Sequence, residues 1–450
     1  METIKILHTN DIHSHLENWP RIAQFIASQQ QATKEDETLW TLDLGDFCDR
    51  WHPLTEATHG KGNIALLNQA HYDLVTLGNN EGLGFSQDEF KELYQQANFQ
   101  VVIANVRQMN QQLPPNCHAY TILTTKDQTK IAFIGLTAPF ESGYRANGWL
   151  ILDPQETLRA FLPELKQQAD LICVMSHLGV TQDRLLAQNF SEIDLIIGSH
   201  THHVFVHGEF VNQTLLAAAG KYGQYVGEIT LTLENHQLKE KRARAICYED
   251  LPPVVDEGRV SEAYFQKGQH LLAEQVLCTI TEEKSIEKIT AELAQAMKAT
   301  TNQDLALLST GLVLHSLSKG VITKKDLHEI LPHLMHLVTV ELQGRDLIRL
   351  AAEITKNQPF LSYYQPKGLG FRGKIFGQIY NDGLVYHPES RTASLRGKAI
   401  APNQSYSLVT LDYWVFLPFF PTLEIAGEVT LYYPKLLREI YGEFLARNEN

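Results

Sequence analysis

The sequence lacks any apolar run long enough to span a membrane within its 450 residues. Its five cysteines are scattered along the chain and form no CxxC pair. The opening segment, Met1 to Leu7, has neither a basic region nor an apolar region of signal-peptide length. These absences predict reduced thiols, a cytoplasmic location and no membrane partner.

Basic charge is also scarce: 38 lysines and arginines face 52 acidic residues, for a net charge of -14. A protein that binds a nucleic-acid polymer needs a basic face, so this balance argues against such a partner. A small phosphorylated molecule stays compatible, because bound divalent cations can reverse the local field. We find no P-loop, internal repeat or low-complexity segment.

The pattern of apolar residues divides the chain into three parts. Residues 1–235 alternate short apolar strands with helical patterns, which predicts an α/β layered domain. Residues 236–281 begin with a polar and basic stretch, contain a Pro-Pro break and continue as a helix, so we predict a linker with a connecting helix. Residues 282–450 are predicted to form a second, smaller α/β domain.

Five of the predicted strands in the first domain end in a turn that carries Asp, Asn or His. The turns are Thr9 to His15, Gly45 to Asp49, Gly78 to Glu81, Ser176 to Gly179 and Gly198 to His203. One such turn could be explained by capping or turn formation, which Asp and Asn favour. Five at strand ends, where α/β sheets place their ligands, instead indicate a metal centre.

The predicted ligands combine oxygen and imidazole donors. They are Asp11, His13, Asp46, Asn79, His177, His200 and His202. Seven are too many for one four-coordinate zinc, but they suit two divalent ions that share a carboxylate. The shared ligand must be anionic to offset the repulsion between the ions, so Asp46 is the predicted bridge. Mn is the first choice of metal, and Zn, Fe and Mg are also compatible.

The spacing of these residues suggests how they converge. Asp11 and His13 are two positions apart, as are His200 and His202, so in extended segments both side chains of a pair would point to the same side. Two ions held there would polarise a phosphoryl oxygen and convert a bridging water to hydroxide, which would attack phosphorus in line.

The order of these motifs resembles that of the calcineurin-like metallophosphoesterases. The segments ILHTNDIHSHLE and IIGSHTHH are similar to the 5′-nucleotidase family, and GDFCDRWHPLTEATHGKGN with GNNEG looks like its YunD-like cytoplasmic branch. The resemblance implies a four-layered α/β/β/α sandwich plus a smaller α/β 5′-nucleotidase C-terminal domain. It also implies one ion on Asp11, His13, Asp46 and His202, and the other on Asp46, Asn79, His177 and His200.

The chain departs from the family at position 80. The family motif Gly-Asn-His-Glu reads Gly78-Asn79-Asn80-Glu81 here, so the histidine that serves the leaving group is replaced. Asn80 can donate a hydrogen bond to a phosphoryl oxygen but cannot supply a proton. Three explanations stay open: another histidine, His15 or His52 foremost, takes the role; the leaving group needs no acid; or the domain is inactive.

The second domain also departs from the family, because the aligned stretch Ser309 to Leu314 lacks the arginine of the Asn-Gly-Gly-Ile-Arg-like motif. Candidate replacements for substrate binding are Arg372 with Phe371, Arg50 of the second turn, and the aromatic Phe416 as part of a base clamp. The structural alternatives are a surface ion pair for Arg50, a turn with a solvated Arg372 and a core Phe371, and a core position for Phe416.

Together these features predict a two-metal phosphohydrolase whose metal-bridging hydroxide attacks the phosphate of a nucleotide or nucleotide-sugar. Two alternatives stay open. One is a 2′,3′-cyclic-nucleotide or general phosphodiesterase, and the other is a metal-loaded nucleotide-binding protein with little turnover.

Overall fold

A computed structural model describes residues 1–366, 368 and 370–449 of the chain. The chain folds as two compact units, which meet in sequence between Gln269 and His270. The boundaries predicted at residues 235 and 282 stay predictions, since compactness of the backbone does not define where a linker begins.

The first unit contains two large sheets and the helices that cover them. Its strands are β1 (Glu2–Thr9), β2 (Glu37–Asp43), β3 (Leu74–Thr76), β4 (Gln100–Val102), β5 (Val106–Gln108), β6 (Cys117–His118), β7 (Tyr120–Thr124), β8 (Lys130–Thr137), β9 (Trp149–Ile151), β10 (Leu171–His177), β11 (Leu195–Gly198), β12 (Glu209–Val211), β13 (Thr214–Ala217), β14 (Tyr225–Glu234) and β15 (Gln237–Cys247). Its helices are α1 (Trp19–Ala32), α2 (Pro53–Thr58), α3 (Lys61–Gln69), α4 (Asn79–Leu83), α5 (Gln87–Leu93), α6 (Glu141–Ala146), α7 (Pro154–Gln168), α8 (Val180–Asn189) and α9 (Glu257–Ala273), which continues past Gln269.

The two sheets pack face to face and form four layers with their helices. The first has strand order β15-β14-β1-β2-β3-β4-β6, and the second β12-β13-β11-β10-β8-β7. One buried cluster joins Ile4 and Trp40 of the first sheet to Phe133 and Met175 of the second. Helices α1, α3 and α5 cover the outer face of the first sheet, and α7 and α8 that of the second. The predicted α/β/β/α arrangement is therefore confirmed.

Strand β15 shows why part of the chain reads as a polar linker. Residues 237–247, which the sequence places in the linker, pair antiparallel with β14 along the edge of the first sheet. Most of this strand is exposed or half-buried, so its side chains are free to be polar and basic. An edge strand of this kind is difficult to distinguish from a linker by composition.

The second unit is also a mixture of strands and helices. Its strands are β16 (Val276–Ile280), β17 (Leu305–Ala306), β18 (Leu308–Ser309), β19 (Gly320–Thr323), β20 (His336–Gln343), β21 (Ile379–Tyr380), β22 (Leu384–His387), β23 (Thr392–Leu395), β24 (Lys398–Ala399), β25 (Ser405–Leu411) and β26 (Glu428–Leu436). Its helices are α10 (Ile286–Thr301), α11 (Lys324–Ile330), α12 (Gly344–Leu361), α13 (Asp412–Val415), α14 (Pro421–Ala426) and α15 (Leu437–Asn448). The central sheet has the order β17-β25-β20-β26 and contributes to one apolar core.

Within the described residues, no helix combines the length and the apolar character that crossing a lipid bilayer requires.

Candidate metal centre

The strand order brings the predicted ligand turns to neighbouring sheet ends. Strands β1, β2 and β3 are parallel neighbours in the first sheet, and β10 and β11 are parallel neighbours in the second. Their carboxyl ends therefore meet at one end of the sandwich. Two overlapping groups of candidate ligands lie there, in each of which the ligand atoms are within 4.8 Å of one another. The groups are Asp11 with His13 and His202, and Asp11 with Asp46 and His177.

Asp11 is common to both groups, and Asp46 of the second group also approaches His13 of the first. Its Oδ2 is 3.6 Å from Nε2 of His13 and 3.4 Å from Nε2 of His177. Within the first group, Oδ1 of Asp11 is 3.9 Å from Nε2 of His13 and 3.7 Å from Nε2 of His202. Most of these separations are too long for hydrogen bonds. They are close to the ~3.0–3.5 Å between two ligand atoms that each bind one cation at ~2.1 Å.

Three buried atoms of the predicted ligands are left without a hydrogen-bond partner among the described residues. They are Nε2 of His13, Nε2 of His177 and Oδ1 of Asn79. Buried polar atoms are nearly always satisfied, so three such atoms in one cluster require an explanation. All three are lone-pair donors of the kind that divalent cations accept, so the residues present fit a metal centre.

Hydrogen bonds to the atoms that would not bind metal orient the predicted ligands. Nδ1 of His177 lies 2.7 Å from the carbonyl oxygen of Leu44, to which it can donate when Nε2 carries the free lone pair. The Asn79 side chain donates its Nδ2 to Oδ1 of Asn80 at 3.2 Å, which turns Oδ1 of Asn79 the other way. Asp49 Oδ2 is 3.7 Å from Nδ1 of His13, so a carboxylate faces the ring nitrogen opposite the cluster.

Burial and neighbouring charges shift the pKa values of several predicted ligands. Burial would lower the pKa of His177, but the Asp46 carboxylate more than offsets it and raises the pKa to about 10. Burial would raise the pKa of Asp46, yet His177 and His13 hold it below its ordinary value. Burial, and then the charge of His177, lowers the pKa of His200 to about 4, so that ring is a neutral potential ligand. A divalent cation can replace the His177 proton as the charge that stabilises Asp46.

The backbone of these turns is unusual. Five of the seven predicted ligands have positive φ angles: Asp11 (52°), His13 (49°), Asp46 (53°), His200 (73°) and His202 (57°). The expectation that each pair lies on an extended segment is therefore wrong. The strands end before these residues, at Thr9 in β1 and at Gly198 in β11, so side-chain alternation no longer applies. Left-handed conformations are rare in residues other than glycine and cluster at functional sites.

Glu81 holds two of the turns together. Its carboxylate accepts hydrogen bonds from the backbone N–H groups of Asp46 at 2.9 Å, Cys48 at 2.9 Å and Gly78 at 3.0 Å. The turns are so close that a Cβ on Gly78 would lie 2.0 Å from Oδ1 of Asp46. No role for Glu81 was evident from the sequence, although it is the last residue of the Gly-Asn-Asn-Glu motif.

The remaining ligands lie at the same end of the sandwich. The backbone N–H of His200 donates to the Asp11 carboxylate at 3.1 and 3.2 Å, and its ring centroid is 5.2 Å from that of His177. Asn79 follows Gly78 directly at the start of α4. The structure therefore brings all seven predicted ligands to one place.

The candidate proton donors differ in position. His15 lies beside the cluster: its ring is 3.8 Å from that of Tyr222, which in turn is 5.8 Å from the ring of His13. Its Nδ1 is 2.6 Å from Oε1 of Glu17, so the imidazole has a carboxylate partner. Neither Glu17 nor Tyr222 was identified from the sequence. The position of Glu17, two residues after His15, is the sequence feature that could have indicated this contact.

His52 has a different environment. It is the N-cap of α2, where its Nδ1 accepts the backbone N–H of Leu54 at 3.2 Å. The side chain is buried, with its ring edge-on to the rings of Trp51 and Phe265. These contacts favour a structural role for His52.

Arg50 forms a buried ion pair with Glu56. Its Nε and Nη2 donate to the two carboxylate oxygens of Glu56 at 2.7 and 3.2 Å, and Nη1 donates to the carbonyl of Gly84 at 3.2 Å. Both side chains are buried, at 2% and 8% exposure, so the pair is internal rather than on the surface. The guanidinium is thus engaged by protein groups, which favours a structural role over phosphate contact.

We expect Arg50→Ala to lower the free energy of unfolding by ~3–5 kcal/mol, because it leaves the Glu56 carboxylate buried without this partner. Chemical denaturation monitored by circular dichroism measures the change. Arg145→Ala is the matched control, since its pair with Glu141 is exposed and should change stability by less than ~1 kcal/mol. Equal, small effects in both variants would show that the Arg50 pair does not stabilise the fold.

The substrate candidates of the second unit differ in exposure. Phe371 is buried, and its ring packs 5.3 Å from that of His333 and 5.8 Å from that of Tyr413, so it belongs to the core. Arg372 is exposed, and its backbone N–H donates to Nδ1 of His333 at 2.9 Å. Phe416 is 63% exposed at the end of α13, where its ring is accessible to a ligand.

Two family models match the chain. Residues 4–204 match that of the calcineurin-like phosphoesterases, and residues 278–417 match that of the 5′-nucleotidase C-terminal domain. The metallophosphoesterase YunD of Bacillus subtilis (strain 168) is 33% identical over 464 residues, which cover 99% of this chain and 100% of YunD.

Solved structures with the same fold include two nucleotidases. The NAD nucleotidase of Haemophilus influenzae superposes with a TM-score of 0.64 at 18% identity, over 99% of this chain and 96% of its own. The 5′-nucleotidase precursor of Thermus thermophilus superposes with a TM-score of 0.58 at 20% identity, over 99% of this chain and 97% of its own. Likeness at these identities shows the fold alone.

Proposed function

Since this chain belongs to the calcineurin-like metallophosphoesterases that carry a 5′-nucleotidase C-terminal domain, and is therefore a metal-dependent phosphoester hydrolase, we propose that it hydrolyses a nucleotide or nucleotide-sugar. The observation that supports a two-ion site is the position of Asp46 Oδ2, within 3.6 Å of Nε2 of both His13 and His177. An anionic oxygen close to one ligand of each proposed ion, His13 for the first and His177 for the second, is what a shared carboxylate requires.

In this proposal Asp11, His13, Asp46 and His202 hold one ion, and Asp46, Asn79, His177 and His200 hold the other. Two such ions, when bound, polarise a phosphoryl oxygen and lower the pKa of a shared water. We propose Mn as the resident metal, because the set mixes carboxylate and amide oxygens with imidazole nitrogens. A cytoplasmic location fits the five free cysteines, four of which are buried.

We propose His15 as the proton donor to the leaving group. It combines three features: a position beside the metal cluster, a partly exposed ring and a carboxylate partner in Glu17 at 2.6 Å. A carboxylate on Nδ1 holds the imidazole in one orientation, which leaves Nε2 as the ring nitrogen for proton transfer. This pair would replace the histidine that is missing at position 80.

The nucleotide assignment rests on the family and on the second unit. The fold is shared with proteins named for 5′-nucleotides and NAD, and the likeness extends over 99% of this chain. In this chain Arg372 and Phe416 are the exposed candidates for contacts to the organic part of the substrate. Arginine can grip a second phosphate or a carboxylate, and a phenyl ring can stack on a base.

A substrate panel tests the proposal. Mn-loaded protein is incubated with nucleoside monophosphates, sugar nucleotides, NAD and 2′,3′-cyclic nucleotides. Inorganic phosphate, nucleosides, nucleoside monophosphates and sugar phosphates are measured. We expect turnover of monophosphates or sugar nucleotides that disappears when a chelator removes the metal. Selective opening of the cyclic nucleotides would instead support a phosphodiesterase, and tight nucleotide binding without products would support a binding protein.

A further inference from the structure

Asn80 occupies the position of the missing family histidine, but its side chain is directed into the metal-binding turns. We propose that Asn80 is a positioning residue that sets the orientation of the Asn79 amide and of the Asp46 turn, and does not act on the substrate itself. This inference rests on the proposed two-ion site.

The first step of the argument concerns the two ends of the Asn79 amide. Its Nδ2 donates to Oδ1 of Asn80 at 3.2 Å, which leaves Oδ1 of Asn79 as the end that points the other way. That oxygen is buried and has no hydrogen-bond partner in the described part of the chain. A cation accepts lone pairs and is repelled by N–H groups, so the amide must be held in this orientation to bind metal. Asn80 Oδ1 is the acceptor that holds it.

The second step concerns the Asp46 turn. Nδ2 of Asn80 donates to the carbonyl oxygen of Cys48 at 2.9 Å, two residues after Asp46. The backbone N–H of Asn80 donates to Oδ1 of Asp46 at 2.8 Å, and this bond leaves Oδ2 to face His13 and His177. One residue thus connects the third ligand turn to the second.

The same contacts explain why Asn80 is a poor group to meet a phosphoryl oxygen. Its amide nitrogen donates to the Cys48 carbonyl at 2.9 Å and lies 3.1 Å from Nδ1 of His13, so the amide group is enclosed by protein atoms. A side chain used in this way acts through the ligands that it orients. Partners of this kind typically change metal affinity by about 10–100-fold when they are removed.

The test is a Mn titration of the full chain, in which calorimetry and electron paramagnetic resonance measure the affinity for each ion. The proteins compared are wild type, Asn80→Ala, Asn79→Ala and the double variant. We expect Asn80→Ala to bind the second ion about 10–100-fold more weakly than wild type. Turnover lost at limiting Mn should return largely at saturating Mn. Because part of the effect of Asn80 acts through the Asn79 amide, the loss in the double variant should be smaller than the sum of the two single losses.

Asn110→Ala is the matched control, because Asn110 is exposed and its side chain bonds to Gln112 within its own turn, so its Mn affinities should equal those of wild type. Circular dichroism of each variant reports its folding, and the Asn79→Ala comparison keeps the test decisive if one variant is unstable. The inference is overturned if Asn80→Ala binds two ions as wild type does, or if the two single losses add in the double variant. A wild-type protein that binds fewer than two ions would instead overturn the proposed function.

Discussion

Asp46→Asn is expected to abolish both the paired metal site and phosphate release. The neutral amide cannot offset the repulsion between two divalent ions, and its NH₂ group would repel one of them. Loss of the several kcal/mol that two ions contribute to the transition state corresponds to a fall in turnover of at least ~10³-fold. Metal content by mass spectrometry and release of inorganic phosphate measure the two effects on the same preparation.

The control for this substitution is Asp127→Asn, which makes the same chemical change at an exposed position between β7 and β8. It should keep wild-type metal content and turnover. An Asp46→Asn protein that retains two ions and full turnover would rule out Asp46 as the bridge.

His15→Ala is expected to lower turnover by ~10²–10⁴-fold while both ions remain bound, because general acid catalysis contributes this much to proton transfer. The loss should be largest for substrates with a poor leaving group and smallest for p-nitrophenyl phosphate, whose leaving group departs without a proton. Steady-state kinetics with both substrate types, at saturating Mn, measure the difference.

Two other histidines separate this role from alternatives. His118→Ala changes an exposed residue of β6 and should leave turnover unchanged. His52→Ala removes the N-cap of α2 and should lower the free energy of unfolding by ~0.5–2 kcal/mol. Wild-type rates in His15→Ala with every substrate would exclude His15 as the donor and favour a leaving group that needs none.

The sequence was sufficient to predict the layered α/β fold, and it selected ligands that the structure brings together. The reason is physical: parallel strands such as β1, β2 and β3 align their carboxyl ends, so polar residues that follow them must meet. The residue types then indicate the chemistry. The ends of the predicted strands and the metal preferences of the side chains were therefore enough to predict a metal centre, without any interatomic distance.

The features of the site that the sequence did not predict depend on backbone geometry, on burial and on contacts between residues far apart in sequence. The left-handed turns at Asp11 and His13 could not be predicted from residue type, because Asp and His adopt positive φ angles more often than most residues but still only in a small minority of cases. The anchoring of Asp46 by Glu81 joins residues 35 positions apart. The Arg50–Glu56 pair looks the same in sequence whether it is buried or exposed.

The second unit shows the same limit. Phe371 lies in a glycine-rich stretch that suggests an open loop, yet it is buried against His333 and Tyr413. Phe416 belongs to an equally apolar stretch and is exposed. Hydrophobicity alone cannot separate these positions, because exposure is decided by how the chain packs.

The most direct test of the account is a crystal structure of the protein grown with MnCl₂, with anomalous differences recorded above and below the Mn edge. We predict two Mn peaks ~3.5–4 Å apart, with Asp46 bound to both. A single peak, or two peaks that share no protein carboxylate, would contradict the two-ion site bridged by Asp46.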